Sequence, residues 1–136
     1  MKDKGLVGNE KIEEDIAALK EQFTEERLAV VLTTIRKRAI EGGQFVVAVD
    51  TAASDLHLSL KTMTVNGRKW FAAFTSFDEE MKGKIDVMSG FLADMNQLFD
   101  LTLSSSGVEG ILINPFGNMI TLDKQIIEVI KVAENK

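Results

Sequence analysis

The sequence predicts an α+β domain with a mixed β-sheet of about four to five strands packed against helices. Two apolar blocks, 68–74 and 110–114, carry this prediction, because each is typical of a strand that stops at a polar turn. The long helical pattern between them predicts a crossover that makes the two strands parallel. An antiparallel hairpin before the first block makes the sheet mixed. The length of 136 residues fits one domain.

Two helices are predicted at the N-terminus. Asn9 is a candidate N-cap for a helix that runs to about Phe23, because apolar residues recur there at spacings of three and four. Thr24 is a candidate N-cap for a second helix, which the pair Gly42-Gly43 ends.

A central strand and a hairpin follow. The apolar run within 44–50 predicts a buried strand, and the small polar residues of 51–56 predict a loop. Alternating residues over 57–64 predict a half-exposed strand. Asn66-Gly67 predicts a two-residue type I′ turn, because this turn needs positive φ at both positions. The strand 68–74 then returns antiparallel.

Further helices and strands are predicted in the second half of the chain. Ser76 and Glu79 match a capping box, which a short helix or turn follows. A helix is expected over about 85–99, with an apolar stripe at helical spacing. Residues 119–122 suggest a short edge strand, and Asp123 is a candidate cap for the last helix. The apolar stripe of the 85–99 helix would contain Met88, Phe91, Leu92, Met95 and Phe99.

Composition narrows the classes of function. The chain has no Cys and one His, which excludes thiolate sites and leaves few nucleophile–base pairs. The formal charge of −5 argues against nucleic acid as a partner. Neither a signal peptide nor a membrane span is expected, since no apolar run has the required length. We therefore expect a cytoplasmic protein that is no enzyme and that binds no cofactor or metal.

A candidate binding site lies where the two predicted parallel strands end. The segments Thr75-Ser76 and Asn114-Pro115 would lie side by side at the carboxyl edge of the sheet, where ligands of open α/β sheets bind. A helix beginning near Ser76 would add free N–H groups. The alternative is structural: Thr75 and Ser76 cap the helix, and Asn114 braces a turn.

Trp70 is the fifth candidate binding residue. It is the only Trp and follows Arg68 and Lys69, which indicates a strand near solvent and allows a role in contacting a partner. The alternative is a packing residue of the sheet. No catalytic residue is predicted, since the carboxylates of Asp78 and Glu79 at a helix start are poor general bases.

Several of these motifs resemble the N-terminal domain of the SseB family. The resemblance rests on Asn66-Gly67-Arg68 before an apolar strand, on Phe74-Thr75-Ser76, and on Gly110 to Pro115 before a closing helix. It covers roughly 24–131, so we divide the single globular unit into an N-terminal helical extension, 1–23, and an SseB-like domain, 24–136. The resemblance implies an α+β domain with a mixed sheet and a bacterial, cytoplasmic origin.

Two functions remain open at this point. The first is a non-catalytic module that binds an unknown protein partner. It is favoured because the sequence shows no catalytic set of residues and because Trp70 lies on a strand that is predicted to be near solvent. The second is a small-ligand-binding domain or weak enzyme that uses the crevice at the carboxyl ends of strands 68–74 and 110–114. A homodimer is also left open.

Overall fold

A computed structural model describes residues 4–50, 59–83 and 89–132 of the chain. It contains five helices and seven strand segments within those residues. The helices are α1 (Asn9–Glu21), α2 (Glu25–Ile40), α3 (Phe77–Met81), α4 (Met95–Ser104) and α5 (Lys124–Val132). The strands are β1 (Gln44–Asp50), β2 (Ser59–Leu60), β3 (Thr62–Val65), β4 (Arg68–Phe74), β5 (Ser89–Asp94), β6 (Gly110–Ile113) and β7 (Ile120–Asp123).

The strands form one mixed sheet in the spatial order β5-β1-β4-β6-β7. β4 and β6 are parallel, with Phe71 opposite Ile111 and Ala73 opposite Ile113, whereas the other pairs are antiparallel. β1 pairs directly with β4 only at its first half. The segment β2–β3 lies where β1 and β4 diverge. Its residue Lys61 bonds to both strands, and its N–H donates to Ala48 O of β1 at 2.9 Å. The predicted α+β class, hairpin and parallel pair are confirmed.

Four helices cover one face of the sheet. Alternate strand residues such as Phe45, Val47 and Ile111 point towards α1, α2, α4 and α5 and form the main core with them. Ile12 and Ile16 of α1 are fully buried in this core. Burial of large aliphatic side chains stabilises a domain by roughly 1.5–3 kcal/mol each, so α1 is part of the packed structure.

The other face of the sheet carries a smaller core. Val46, Ala48, Ala72 and Phe74 form it, and Phe116 packs on it with its ring centroid 5.6 Å from that of Phe74. The short helix α3 lies against β1 and β4. An added Cβ on Gly90 would meet the Glu80 carboxylate, which indicates that α3 lies over this face.

The turn between β3 and β4 has the predicted geometry. Asn66 and Gly67 have φ values of 54° and 77°. Positive φ at both central positions is the type I′ conformation, whose twist matches that of the flanking strands. This turn fixes the register in which Met63 lies opposite Trp70.

The predicted helix over 85–99 is wrong. Residues 89–94 form β5, which pairs along the length of β1, and the helix begins only at Met95. Asp94 caps this helix by accepting a hydrogen bond from the N–H of Gln97 at 3.0 Å. The reason is tertiary: β1 needs a second antiparallel neighbour, and pairing outweighs weak local helix preference. Met88 of the predicted stripe lies outside the described residues, as does the predicted loop 51–56.

Candidate functional site

The ends of β4 and β6 are joined by two buried polar residues. Thr75 follows β4 and Asn114 follows β6, with 1% and 3% of their surfaces exposed. Asn114 Oδ1 accepts from Thr75 N at 2.9 Å, and Asn114 Nδ2 donates to Thr75 Oγ1 at 3.1 Å. The structure therefore brings together the two predicted residues Thr75 and Asn114, and their polar atoms bind each other.

The backbone conformation of Asn114 makes this link. Its φ is 54°, in the left-handed region, where Asn is tolerated better than most residues. Its own N–H continues the parallel ladder by donating to Ala73 O at 2.9 Å. The chain then turns at Pro115, which is half-buried and has no N–H to donate.

Asn9 extends the polar network to the N-terminal helix. Its Nδ2 donates to Gln44 O at 2.8 Å and to Thr75 O at 3.1 Å, and its Oδ1 accepts from Arg38 Nε at 3.1 Å. The prediction of Asn9 as an N-cap is wrong. Gly8 holds the cap position, without a side-chain bond, and Asn9 lies inside the helix facing the sheet.

Arg38 and Glu13 complete the network. Arg38 donates to Gly5 O at 2.8 Å and to Glu41 Oε1 at 3.0 Å. Its guanidinium group is therefore hydrogen-bonded to a backbone carbonyl and to a carboxylate. Thr75 Oγ1 donates to Glu13 Oε2. Because buried polar groups are costly without partners, this bonding lets α1, α2 and three strand ends meet in the interior.

Sequence reasoning did not identify Asn9, Glu13 or Arg38 as members of this network. A signal for Asn9 was present, since it precedes Ile12 by three and Ile16 by seven residues and thus lies on their buried face. A polar residue on an apolar stripe indicates a buried hydrogen bond. Arg38 gave the same signal, since it follows Ile35 by three and Val31 by seven residues, whereas Glu13 lies among the charged residues of α1.

Ser76 acts as the cap that its sequence context predicts. Its Oγ accepts from Glu79 N at 3.2 Å and starts α3. Ser76 is half-buried and lies next to the buried network, yet its hydroxyl serves the helix. Within α3, Phe77 and Met81 point to solvent, with 37% and 71% of their surfaces exposed.

Two carboxylates of α3 are partly shielded from water. Glu79 forms an ion pair with Lys82 at 2.7 Å, which raises the pKa of Lys82. Burial raises the pKa of Glu80 above its usual 4.5, because water solvates the charged form less well there. Glu79 Oε1 and Glu80 Oε2 have no hydrogen-bond partner among the described residues. Those residues also hold no group of three or more His, Cys, Asp or Glu side chains that could bind a metal.

Trp70 lies away from the Thr75–Asn114 pair, at the opposite end of β4. It is half-buried and lies opposite Met63, on the sheet face that carries the smaller core. Its Nε1 is shielded and has no partner within the described part of the chain. The five predicted binding residues thus fall into two places: Trp70 on the hairpin, and Thr75, Ser76, Asn114 and Pro115 at the carboxyl edge.

Comparison with known proteins identifies no family for this chain. Neither a family model, nor a curated protein, nor a solved structure matches this chain. Within the described residues, no helix is long and apolar enough to cross a membrane.

Proposed function

We propose that this chain is a non-catalytic, SseB-like domain that acts as a protein–protein interaction module through α3. The observation that carries the proposal is the pair of exposed side chains Phe77 and Met81. They are four residues apart on one helix and therefore neighbours on its surface. Exposed large apolar side chains side by side are typical of interaction sites.

The way in which α3 is held against the rest of the domain supports this proposal. Ser76 caps its first turn, and Phe116 lies between Phe74 and Gly83, where an added Cβ on Gly83 would meet the Phe116 ring. The helix is thus held at both ends while Phe77 and Met81 remain outside the core. A partner would meet a pre-ordered surface, which lowers the entropy cost of binding.

The charges around α3 indicate the chemistry of the partner. Asp78, Glu79 and Glu13 all favour the charged form of Lys82, so the surroundings of α3 are acidic. A partner that fits would have an apolar cleft with a basic rim. A bacterial, cytoplasmic setting, which the SseB resemblance implies, belongs to the same proposal.

The contacts of Thr75 and Asn114 favour this role over the crevice alternative. Their polar atoms bond to each other, to Ala73 and to α1, so little hydrogen-bonding capacity is left for a small ligand. At this edge the carboxylate of Glu13 accepts the hydrogen bond of the Thr75 hydroxyl. The carboxylate of Glu79 is engaged with Lys82.

The test compares two matched double variants. Phe77→Ser with Met81→Ser removes the apolar pair of α3, whereas Leu101→Ser with Val129→Ser removes two exposed apolar residues elsewhere. Proteins retained by the immobilised wild-type chain from an extract of the source cell are purified, and their affinities are measured by calorimetry. We expect the α3 variant to bind about tenfold or more weakly and the control to bind as the wild type does.

Two outcomes would contradict the proposal. One is a purified partner that binds both double variants equally well. The other is an extract in which no protein binds the wild type more tightly than the α3 variant. Thermal melts of each variant check that the fold is intact, and higher salt should weaken binding because the proposed contact is partly ionic.

A further inference from the structure

β5 lies at an open edge of the sheet. It pairs with β1 from Gln44 to Val49, and no strand in the described part of the chain pairs with its other side. Natural proteins protect such edges with Lys, Pro or bulges. β5 has none of these, and its register with β1 is regular throughout. An unprotected edge of this kind is suited to pairing with another strand.

The ladder fixes which backbone groups of β5 face outwards. Met95 N donates to Gly43 O at 3.0 Å, whereas Ala48 O accepts from Lys61 on the opposite side of β1. Hydrogen-bonded and non-hydrogen-bonded pairs alternate in antiparallel strands. Every second residue of β5 therefore directs its N–H and C=O away from β1. These outward residues are Gly90, Leu92 and Asp94.

Two large apolar side chains of this edge are accessible. Phe91 has 44% and Leu92 has 37% of its surface exposed. Phe91 lies opposite Val47, on the helix-covered face, and Leu92 lies opposite Val46, on the other face. Apolar surface is thus available on both faces of the same edge strand.

We propose that β5 pairs with β5 of a second copy of this chain, antiparallel and about a two-fold axis through Leu92. The two sheets would then form one continuous sheet across the dimer. In this register Leu92 lies opposite Leu92 of the second copy, and Gly90 lies opposite Asp94. All outward N–H and C=O groups of the strand find partners.

A second copy is the occupant that the strand itself fits. The Leu92 register places the bulky Phe91 against the small Ala93, so size is complementary at both symmetric positions. It also places each Asp94 against Gly90. Moving the axis to Asp94 would set two carboxylates opposite each other, which is destabilising, and moving it to Gly90 would leave residues 92–94 opposite no residue of the other β5.

The test uses opposite charges at the proposed axis. Leu92→Lys and Leu92→Glu each place like charges face to face in a symmetric dimer, so each variant alone should be monomeric. Mixing the two should restore a dimer, since Lys then faces Glu. Sedimentation velocity should show the wild type and the mixture at twice the 15.0 kDa mass of the chain. Val129→Lys, at an exposed position of α5, should leave the dimer unchanged.

The same experiment can overturn the proposal. A wild type that stays monomeric up to its solubility limit would exclude the dimer. A dimer that persists in both single variants would place the interface elsewhere. A mixture that stays monomeric, with both variants folded by circular dichroism, would exclude the Leu92 register.

A measurement on the unchanged protein covers the case in which a variant does not fold. The amide of Leu92 points away from β1, whereas that of Phe91 bonds to it. Hydrogen exchange at Leu92 should therefore slow as the wild-type concentration rises, while exchange at Phe91 should be slow throughout. Exchange at Leu92 that does not depend on concentration would contradict the proposed pairing.

Discussion

At the scale of single residues, Asn114 performs two functions at one position. Its left-handed backbone turns the chain after β6, and its side chain bonds to Thr75 N and Oγ1. A substitution that removes the side-chain amide of Asn114 leaves the buried N–H and hydroxyl of Thr75 without these partners. A buried polar group without a partner lowers the stability of the folded state by its desolvation penalty, which no hydrogen bond then offsets.

We expect Asn114→Ala to lower the free energy of unfolding by about 1–3 kcal/mol. Ala also tolerates the positive φ less well than Asn does, which adds to the loss. Denaturant unfolding measures the difference, with the exposed Asn118→Ala as control. If Asn114→Ala unfolds at the wild-type midpoint, the Thr75–Asn114 bonds contribute no net stability.

Glu80 gives the structure a pH dependence. Because its pKa is higher in the folded state than its usual 4.5, the folded state binds more protons than the unfolded state above that value. The contribution of Glu80 to stability therefore falls as pH rises through the window from 4.5 to the raised pKa. We expect Glu80→Gln to gain stability relative to the wild type at neutral pH more than at about pH 4.

Denaturant midpoints at both pH values test this expectation. The exposed Glu128→Gln serves as control and should show no comparable gain at neutral pH. A Glu80→Gln midpoint that tracks the wild type at every pH would mean that the carboxylate is fully solvated in the folded protein.

At the scale of elements, the β3–β4 turn depends on backbone conformation alone. An added Cβ at Gly67 would meet no atom within 4 Å, so crowding plays no part there. The cost of a side chain comes only from the φ of 77°. Gly67→Val should lower the free energy of unfolding by more than ~1 kcal/mol, because β-branched residues tolerate positive φ poorly.

Gly67→Asn is the matched control, since Asn adopts positive φ more readily. It should lose less stability than the Val variant when both are unfolded in denaturant. Equal midpoints for all three proteins would contradict the type I′ assignment of the turn.

The cap of α3 gives a second test at this scale. Ser76→Ala removes the acceptor of the Glu79 N–H and should cost about 1 kcal/mol of stability, whereas Ser76→Asp should largely restore it. Thermal melts compare both with Ser106→Ala, which changes an exposed Ser of a turn. A Ser76→Asp protein no more stable than Ser76→Ala would argue that the hydroxyl is not needed as a cap.

The sequence predicted local turns and caps well because short-range chemistry determines them. Thr24, Ser76 and Asp123 each accept the expected N–H bond. β5 was missed because its Phe91-Leu92 pair also fits a helical stripe, and only the pairing with β1 decides between the two. Gly90 inside the predicted helix was a contrary signal. The Asn9 contacts reach across the fold, so no local pattern could specify Thr75 as its partner.

At the scale of the whole molecule, α1 is a structural part of the core. Ile12 and Ile16 are fully buried, and removal of such a side chain costs about 2–5 kcal/mol. We expect a chain shortened to 24–136 to lose cooperative unfolding. The stability lost with the buried side chains of α1 is comparable to the usual net stability of a domain, about 5–15 kcal/mol.

Calorimetry of the shortened chain tests this expectation. Phe23→Ser in the full chain is the control, since 69% of the Phe23 surface is exposed, and it should unfold as the wild type does. A shortened chain with a single sharp transition near that of the wild type would show that 24–136 folds independently of α1.

The long reach of Asn9 also orders events during synthesis. Its acceptors Gln44 O and Thr75 O lie 35 and 66 positions further along the chain. At about 5–20 residues per second, Thr75 leaves the ribosome roughly 3–13 seconds after Asn9. Until then α1, a helix of only 13 residues, lacks one of the polar partners of Asn9 and the later strands of the sheet that covers Ile12 and Ile16. Part of the support of α1 is therefore made well after the helix itself, and during that interval its apolar face is open to a chaperone.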